Sequence, residues 1–439
     1  MVVDARTAAE IGGHADILGI LGADLRLGTD GAHVLPEGTD LVVTSPGWRP
    51  TAPLLLQAAA AGVPIWGEVE LAWHLRPEDQ PAPWLVVTGT NGKTTTTLML
   101  ASILRAAGER TAAVGNIGVS LVDAVMDPVG FDVLAVEVGA PQLPFLETAS
   151  PLASVCLNIA EDHIDLFGSF DAYKAAKARI YANTQVAAVY NAADPETVRM
   201  VEDADVVEGC RAIGVTLGVP GPSMLGVVDD LLVDRAFVDN RHDSAQELAS
   251  VHDVRPFAPH NVGNALAAAA LARAYGVPAS AVRDGLRTFE PAGHRIADAG
   301  EVDGVRYVDD SKATNCHAAE TSLLAYEPVV WIAGGMAKGQ EFDDLVRRTG
   351  ARMRGVVLLG VDRDRIREAL VRHAPDVPVV DVPRTDTGAM DDVVSAAAGM
   401  ARPGDTVLLA PGCASWDMYR DYAQRGDEFA ASVRRLVSP

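Results

Sequence analysis

Short runs of β-branched residues alternate with Ala- and Leu-rich segments along almost the whole chain. Runs that are apolar at every position are typical of strands buried on both faces, and the intervening segments have the length and composition of helices. This alternation is the pattern of parallel sheets covered by helices. The sequence therefore predicts an α/β protein.

The alternation is interrupted twice, and the interruptions predict three domains. Residues 76–83 hold three prolines, which remove backbone donors and fix φ, so this stretch is typical of a linker. The pattern breaks again near Glu290 and Pro291. A length of 439 residues agrees with three domains of roughly 150 residues each. We expect an N-terminal domain over 1–80, a central domain over 81–290 and a doubly wound C-terminal domain over 291–439, the last with strands at 305–308, 329–333, 356–360 and 406–410.

The charge and apolar patterns exclude several classes of protein. Lys and Arg number 36 against 59 Asp and Glu, a formal charge of -23, which argues against a nucleic-acid binder. No apolar run is long enough to span a membrane, and the first residues do not have the pattern of a signal peptide. The four cysteines are far apart and lack C-x-x-C spacing, so neither a zinc site nor a disulfide framework is expected. We expect a soluble, cytoplasmic protein without nucleic-acid partners or membrane insertion.

A glycine-containing loop follows the predicted strand 84–88 and precedes a predicted helix over 96–107. It comprises Gly89, Thr90, Asn91, Gly92, Lys93, Thr94 and Thr95. Glycines let backbone N–H groups surround phosphate oxygens, Lys93 would neutralise phosphate charge, and the Thr94 hydroxyl would take a metal position. Only two residues separate the glycines, where the usual motif has four. The alternative is an ordinary turn with a surface lysine; the order of strand, loop and helix favours nucleotide phosphate binding.

Two later strands end in groups that could bind a metal. Glu137 ends the predicted strand 132–137, and His163 follows the strand-like run near Asn158. Ligands collect at the carboxyl ends of strands in open α/β sheets, so both side chains could approach Lys93. Magnesium favours few protein ligands together with phosphate and water oxygens. Taken alone, each residue is better explained as a capping or solvated group; their shared topological position reverses that preference and favours a metal site.

At these residues the chain resembles the Mur ligase family, and the resemblance covers nearly the whole length. Further motifs carry it in order along the chain. They are Ser45-Pro46-Gly47, Gly115-Asn116-Ile117-Gly118, Glu161-Asp162-His163, the run from Tyr173 to Tyr181, His260-Asn261 with Asn264, His294-Arg295, the run from Asp310 to Asn315, Gly334-Gly335 with Lys338, and the run from Pro411 to Ser415.

The resemblance implies a Rossmann-like N-terminal domain that binds a UDP-sugar, a central P-loop ATPase-like domain and a Rossmann-like C-terminal domain that binds an amino acid. It also implies a reaction. ATP phosphorylates an acceptor carboxylate, an amine attacks the acyl phosphate, and phosphate leaves. The chain is most similar to the members that add D-glutamate to UDP-N-acetylmuramoyl-L-alanine in peptidoglycan synthesis, which links it to cell wall biogenesis, cell shape, cell division and the cell cycle. The resemblance implies a monomer that uses ATP and Mg²⁺.

The resemblance also implies roles for particular residues. Lys93, His163 and Lys177 are the expected catalytic residues, with Lys177 carried as a carbamate. Thr94, Glu137, His163 and that carbamate are the expected metal ligands. The expected ATP contacts are residues 89–95 with Asn264, Arg295 and Asp310; the expected acceptor contacts are Asp4, Arg6, Asn116 and Gln142; the expected amino-acid contacts are Thr314, Lys338, Ser415 and Tyr422.

Two departures from the family pattern keep alternatives open. The family's first strand and Gly-rich diphosphate loop would precede the segment with which this chain starts, so we expect a truncated N-terminal domain. Gly139, Ala140 and Pro141 replace hydroxyl-bearing and aromatic residues, and Trp416 replaces an aliphatic one. These changes leave two alternatives, an amide ligase with a different acceptor or amino acid and a nucleotide-binding relic without turnover.

Some of these residues also have simpler interpretations. Without the resemblance, Lys177 would be assigned to the solvated face of a helix rich in Lys and Ala. Lys338 could be a polar loop residue, and Ser415 a helix N-cap. Cys413 is expected to be a packed residue rather than a nucleophile, because no base is paired with it. Arg420 and Arg425 are expected on the surface.

Overall fold

The computed structural model of the chain describes residues 1–28, 33–291 and 293–437, within which strands and helices alternate. The strands are β1 (Val2–Asp4), β2 (Leu25–Leu27), β3 (Val42–Val43), β4 (Ile65–Trp66), β5 (Trp84–Thr88), β6 (Thr111–Gly115), β7 (Val133–Glu137), β8 (Ala153–Cys156), β9 (Ala187–Asn191), β10 (Arg211–Val215), β11 (Met224–Val228), β12 (Leu231–Asp234), β13 (Gln246–Ser250), β14 (Ala297–Val302), β15 (Val305–Asp309), β16 (Val329–Gly334), β17 (Met353–Leu359), β18 (Val379–Asp381) and β19 (Thr406–Leu409). The helices are α1 (Ala8–Ile11), α2 (Gly13–Ile20), α3 (Pro53–Ala60), α4 (Glu68–Leu75), α5 (Lys93–Ala106), α6 (Leu121–Val125), α7 (Ile164–Phe167), α8 (Phe170–Ala178), α9 (Pro195–Glu202), α10 (Pro259–Tyr275), α11 (Ala279–Arg287), α12 (Cys316–Leu323), α13 (Asp343–Thr349), α14 (Arg363–His373), α15 (Ala389–Met400) and α16 (Tyr422–Val437).

The central part of the chain is built on a nine-stranded sheet. Its strand order is β13-β12-β11-β10-β9-β8-β5-β7-β6, parallel from β6 across to β11 and antiparallel over the last two strands. Helices α5, α10 and α11 cover one face, where residues 265–272 of α10 have no exposed surface. The small alanines among them let α10 approach α5 closely. Because β7, β5 and β8 are adjacent and parallel, the loops after their carboxyl ends lie at one edge of the sheet.

The C-terminal part carries a six-stranded sheet of order β14-β15-β19-β16-β17-β18. The five strands from β15 to β18 are parallel, and β14 pairs antiparallel with β15. Helices pack on both faces, with Trp331 buried on one and Phe429 of α16 buried on the other. This is the doubly wound arrangement that the sequence predicts, and the α/β class is confirmed. The apolar pattern did not predict β14 and β18, because β14 is half-exposed and has only one large apolar residue, and β18 is only three residues long.

The N-terminal part forms two separate two-stranded parallel sheets. Strand β1 pairs with β2, and β3 pairs with β4. Helices α1 and α2 have no buried residue, and Ile17, Ile20 and Leu21 are exposed. A small cluster of Leu54, Leu55 and Phe145 instead packs α3 against the central part. The described helices include none that is long and apolar enough to cross a membrane.

Helix α5 begins earlier than the sequence predicts. The sequence predicts a start at Thr96, after the loop that ends at Thr95. The helix instead begins at Lys93, directly after Gly92, whose φ of 83° turns the chain. Lys93 and Thr94 therefore lie in the first turn of the helix, where N–H groups are free to bind an anion.

Candidate functional site: a phosphate loop facing an interdomain cleft

Two glycines shape the loop between β5 and α5. Gly89 has φ 149° and Gly92 has φ 83°, both in the region that favours glycine. A Cβ on Gly92 would lie 2.4 Å from Asn264 Oδ1, and a Cβ on Gly89 would lie 3.0 Å from the Leu157 Cβ. The loop is thus closely surrounded by α10 and by the segment after β8, and only glycine fits at Gly92.

Two lysines converge on this loop. Lys93 Nζ donates to the carbonyl oxygens of Gly89 and Thr90, each at 2.9 Å. Lys177 on α8 donates to Gly89 O at 2.8 Å and to Thr88 Oγ1 at 3.0 Å, and only 1% of it is exposed. Burial and the charge of Lys93 lower the pKa of Lys177 to about 7, and burial also lowers the pKa of Lys93. Lys177 is therefore a buried amine beside the phosphate loop, not part of a solvated helix face.

Hydrogen bonds from β8 and α8 hold the loop backbone. Asn91 N donates to Asn158 Oδ1 at 2.9 Å, and Asn158 Nδ2 donates back to Asn91 O at 3.1 Å. Thr90 Oγ1 accepts from Ala160 N at 3.0 Å and lies 2.9 Å from the Tyr173 hydroxyl. The strand pattern placed Asn158 at a strand end, but no role was predicted for it. Its position in the strand-end run that leads to His163 could have identified it as a site residue from the sequence.

A buried carboxylate without a full set of partners lies at the end of β7. Glu137 is 2% exposed; its Oε1 accepts from Asn116 Nδ2 at 3.0 Å, whereas its Oε2 has no hydrogen-bond partner. A buried, unpaired carboxylate oxygen is unfavourable unless a cation or ligand completes it. Hard oxygen donors of this kind suit Mg²⁺. The described residues contain no group of three or more His, Cys, Asp or Glu side chains that could hold a metal alone, so phosphate oxygens would have to complete such a site.

His163 follows β8 at the same edge of the sheet. It adopts φ 54° as the N-cap of α7, and its Nε2 lies 3.7 Å from Asp162 Oδ2. Burial lowers the pKa of His163, which favours the neutral ring that binds metals. Burial lowers the pKa of Lys93, and the charge of Asp162 partly opposes that shift. His163 and Lys93 thus belong to one electrostatic neighbourhood.

A cleft of about 610 Å³ lies between the central and C-terminal domains. Its lining includes Asn91, Gly92, Thr95, Asn264, Arg295 and Asp310, six of the ten expected ATP contacts. Asn264 Nδ2 donates to Asn261 Oδ1 at 3.1 Å, and Asp310 accepts from the Ser322 hydroxyl. Burial raises the pKa of Asp310 to about 6 and lowers that of Arg295. The cleft has the size and mixed polarity of a small-molecule site.

The expected amino-acid contacts lie in the C-terminal domain, three on loops and one at the start of α16, outside the lining of this cleft. Met336 and Ala414 pair across two of these loops, which brings Lys338 and the buried Ser415 to the same end of the sheet. Lys338 Nζ lies 4.4 Å from the ring centroid of Trp416, whose side chain is 63% exposed. Thr314 lies in the loop before α12, and Tyr422 begins α16.

The expected acceptor contacts are not brought together. Asp4 and Arg6 form an exposed ion pair with each other at 2.7 Å after β1. Gln142 is buried in the central domain and accepts from Gly139 N at 2.8 Å. Asn116 faces Glu137, as described above. No hydrogen bond within the described ranges links Asp4 or Arg6 to the central loop.

Two residues of the C-terminal domain differ from expectation. Arg425 was predicted on the surface, but it is 1% exposed and donates to Ser311 O at 2.8 Å and to Cys413 O at 3.1 Å. The two loops on which Ser311 and Cys413 lie converge on its position in α16. Lys312 received no role, yet it lines the cleft and lies 4.0 Å from the Tyr422 ring centroid. Its position between the expected site residues Asp310 and Thr314 could have identified it as a site residue from the sequence.

Comparisons with known proteins give a consistent result. Residues 87–272 match the family described as the Mur ligase middle domain, and residues 294–413 match the Mur ligase, glutamate ligase domain. A protein of Streptomyces coelicolor named UDP-N-acetylmuramoylalanine--D-glutamate ligase is 64% identical over 418 residues, covering 95% of this chain and 88% of its own. A protein of Thermobifida fusca with the same name is 56% identical over 419 residues, covering 95% and 89%. The solved structure of E. coli FolC in complex with ADP shares the fold, with a TM-score of 0.58 and 19% identity over 89% of this chain and 100% of that one.

Proposed function

The chain belongs to the Mur ligase family, and on this premise we propose that it is the ATP-dependent ligase that adds D-glutamate to UDP-N-acetylmuramoyl-L-alanine, a step of peptidoglycan synthesis. The observation that carries the proposal is the juxtaposition of Lys93, Lys177 and the unpaired Glu137 oxygen at one edge of the central sheet. A glycine-lysine loop alone would serve many nucleotide enzymes. The additional buried amine and carboxylate fit a site that must activate a second carboxylate next to ATP.

The reaction requires positioning and charge stabilisation. The γ-phosphoryl group of ATP passes to the acceptor carboxylate, the D-glutamate amine attacks the resulting acyl phosphate, and phosphate leaves as the amide forms. Charge moves between oxygens in both steps, so preorganised cations supply most of the rate enhancement. Lys93 lies on the phosphate loop, where it bonds the carbonyl oxygens of Gly89 and Thr90, and Arg295 and Lys312 place further positive charge along the cleft.

Mg²⁺ fits the residues present. We infer that Thr94 and Glu137 would hold one Mg²⁺ and that His163 and a Lys177 carbamate would hold a second; when bound, the ions supply charge neutralisation on the phosphate and carboxylate oxygens. Lys177 forms the carbamate when its neutral amine attacks CO₂ and releases a proton. A pKa of about 7 leaves a large share of the amine neutral near pH 7, which supports that step.

Each substrate has a proposed set of contacts. ATP contacts residues 89–95 with Asn264, Arg295 and Asp310; D-glutamate contacts Thr314, Lys338, Ser415 and Tyr422; the acceptor contacts Asp4, Arg6, Asn116 and Gln142. For D-glutamate, the Lys338 ammonium would pair with a carboxylate. We assign the UDP-sugar-binding domain to residues 1–80, the ATP-binding domain to 81–290 and the amino-acid-binding domain to 291–439, with Asn116 and Gln142 reaching the acceptor, and Arg295 and Asp310 reaching ATP, from the adjacent domain. We further propose a cytoplasmic monomer that acts without nucleic acid or membrane insertion. The formal charge of -23 supports the absence of a nucleic-acid partner.

The test is phosphate release from ATP by the purified chain with UDP-N-acetylmuramoyl-L-alanine and a panel of D- and L-amino acids. Release that requires D-glutamate, with a matching mass for the amide product, supports the proposal. Release with a different acceptor or amino acid replaces it with the alternative ligase, which Gly139, Ala140 and Pro141 and the exposed Trp416 would favour. A folded protein that binds ATP and turns nothing over is the relic, and that result overturns the proposal.

A further inference from the structure

One residue of the phosphate loop carries the hydrogen bonds between the central and C-terminal domains. Asn91 Nδ2 lies 2.8 Å from His317 Nδ1 and 3.5 Å from Asn315 Oδ1, and Asn315 Nδ2 lies 3.3 Å from Asn91 Oδ1. Across the described parts of 81–290 and 291–437, every hydrogen bond between the two domains belongs to this triangle. The contact between the domains is therefore made on the loop proposed to hold ATP.

Each residue of the triangle is held in place by contacts within its own domain. Asn158 bonds both backbone polar groups of Asn91, so only the Asn91 side chain is free to reach across. On the other side, Asn315 Oδ1 caps α12 by accepting from Ala318 N at 2.8 Å. His317 lies in the first turn of the same helix. A displacement of α12 would therefore move the hydrogen-bond partners of Asn91 directly.

The hydrogen-bond directions define the role of the histidine. Asn91 Oδ1 accepts from Asn315 Nδ2, so Asn91 Nδ2 faces the ring and donates to His317 Nδ1. The ring must then be neutral with its proton on Nε2. Burial at the cleft lowers the pKa of His317, in agreement with a neutral ring. Replacing Asn315 would also remove the N-cap of α12. His317 has no such second role, so its replacement is the cleaner test of the contact between the domains.

We propose that His317 is a positioning residue that acts through Asn91 to hold the phosphate loop ready for the nucleoside triphosphate. The inference rests on the proposed function, because it concerns the ATP site of that reaction. Asn158 holds the backbone of Asn91, and the bond to His317 also fixes its side chain, so the loop keeps one geometry before ATP arrives, which should improve binding. His317 also lines the cleft, and direct contact with the ligand is the rival explanation.

The test is a double-mutant cycle with ATP binding by calorimetry as its main measurement. His317→Phe keeps a ring but removes the acceptor, whereas His317→Asn places Oδ1 near the original Nδ1 position. Both are made in the wild type and in Asn91→Ala. His242→Phe on an exposed turn is the control for ring substitution. We expect His317→Phe to weaken ATP binding by about threefold to tenfold, which is the range for one neutral hydrogen bond, and to raise KM for ATP more than it lowers kcat.

His317→Asn should recover most of the affinity, and His317→Phe should have no further effect in the Asn91→Ala background. Equal losses in both backgrounds would overturn the inference in favour of direct ligand contact, and a loss below twofold in the wild type would overturn it altogether. Thermal unfolding of each variant checks that the substitution leaves the fold intact. If the chain binds ATP with the expected coupling but does not use D-glutamate, the proposed function fails and the positioning role stands.

Discussion

Lys93 and Lys177 donate hydrogen bonds to the same acceptor, the carbonyl oxygen of Gly89, at 2.9 and 2.8 Å. Burial removes the water that would solvate the Lys177 ammonium, and the charge of Lys93 at the same oxygen adds repulsion. The lowered pKa of Lys177, at about 7, is the result. Burial also lowers the pKa of Lys93, and a pKa of about 7 makes Lys177 available as a neutral amine beside the phosphate loop.

Replacing Lys93 by Ala should lower kcat by at least about 10²-fold. It removes a preorganised cation from the transferring phosphoryl group, and such losses typically amount to a few kcal/mol of barrier. Phosphate release from ATP measures the effect. Lys174→Ala is the matched control, because Lys174 pairs with Asp171 and Glu196 away from the loop and should retain activity. Near-normal turnover by the Lys93 variant would remove the loop assignment.

Lys177 should carry a carbamate in the active protein. Incubation with ¹³C-bicarbonate should yield one carbamate carbon signal in the NMR spectrum, because this buried amine is neutral for much of the time near pH 7. Lys177→Ala should lose both the signal and about 10²-fold or more of kcat. Lys174→Ala should keep both. A Lys177→Ala variant that retains the signal would assign the carbamate to another residue.

Gly92→Ala should weaken ATP binding by tenfold or more. Its Cβ would meet Asn264 Oδ1 at 2.4 Å, and φ 83° is strained for alanine, so the loop must shift. Gly399→Ala is the control, since Gly399 lies in α15 with open space around it. That change should leave binding unaltered and stabilise the fold by about 0.5 to 1 kcal/mol. Equal ATP affinity in the two variants would contradict the close packing at Gly92.

The ion pair of His294 with Asp309 should make part of the stability depend on pH. His294 Nδ1 lies 2.7 Å from Asp309 Oδ2, and this hydrogen bond raises the pKa of His294 above its ordinary value of 6.5. The contribution is fully present below that ordinary value and declines as pH rises through the raised one. Urea unfolding should show His294→Gln less stable by about 1.5 kcal/mol at pH 6, the low end for a charged hydrogen bond. The difference should shrink by pH 9; a constant difference would contradict it.

Arg425→Met should destabilise the protein by about 3 kcal/mol. The change leaves the carbonyl oxygens of Ser311 and Cys413 without their donor in a buried site, and each such loss is typically about 1 to 3 kcal/mol. Arg420→Ala is the control, because its side chain is 81% exposed, and it should change stability by no more than about 0.5 kcal/mol. Unfolding midpoints in urea give both values. Equal stability of the two variants would show that the buried guanidinium is dispensable.

Residues near each other in the chain could be predicted from the sequence. Strand β5 was predicted with its observed bounds, and the order of strand, glycine loop and helix around Lys93 was correct. The strand ending in Glu137 was predicted to within one residue. These features depend on apolar periodicity and on the conformational freedom of glycine, both of which act over a few residues.

The tertiary structure alone decided which side chains are buried and what they face. Lys177 and Arg425 have the composition of surface residues, yet both are 1% exposed because distant loops close over them. The bond between Asn91 and His317 joins positions 226 residues apart, and no local pattern specifies it. The sequence by itself thus determined the α/β class, the phosphate loop and the family. The packing of domains determined the pKa of Lys177, the unpaired oxygen of Glu137 and the interdomain triangle, because desolvation and hydrogen-bond partners depend on what surrounds a group in space.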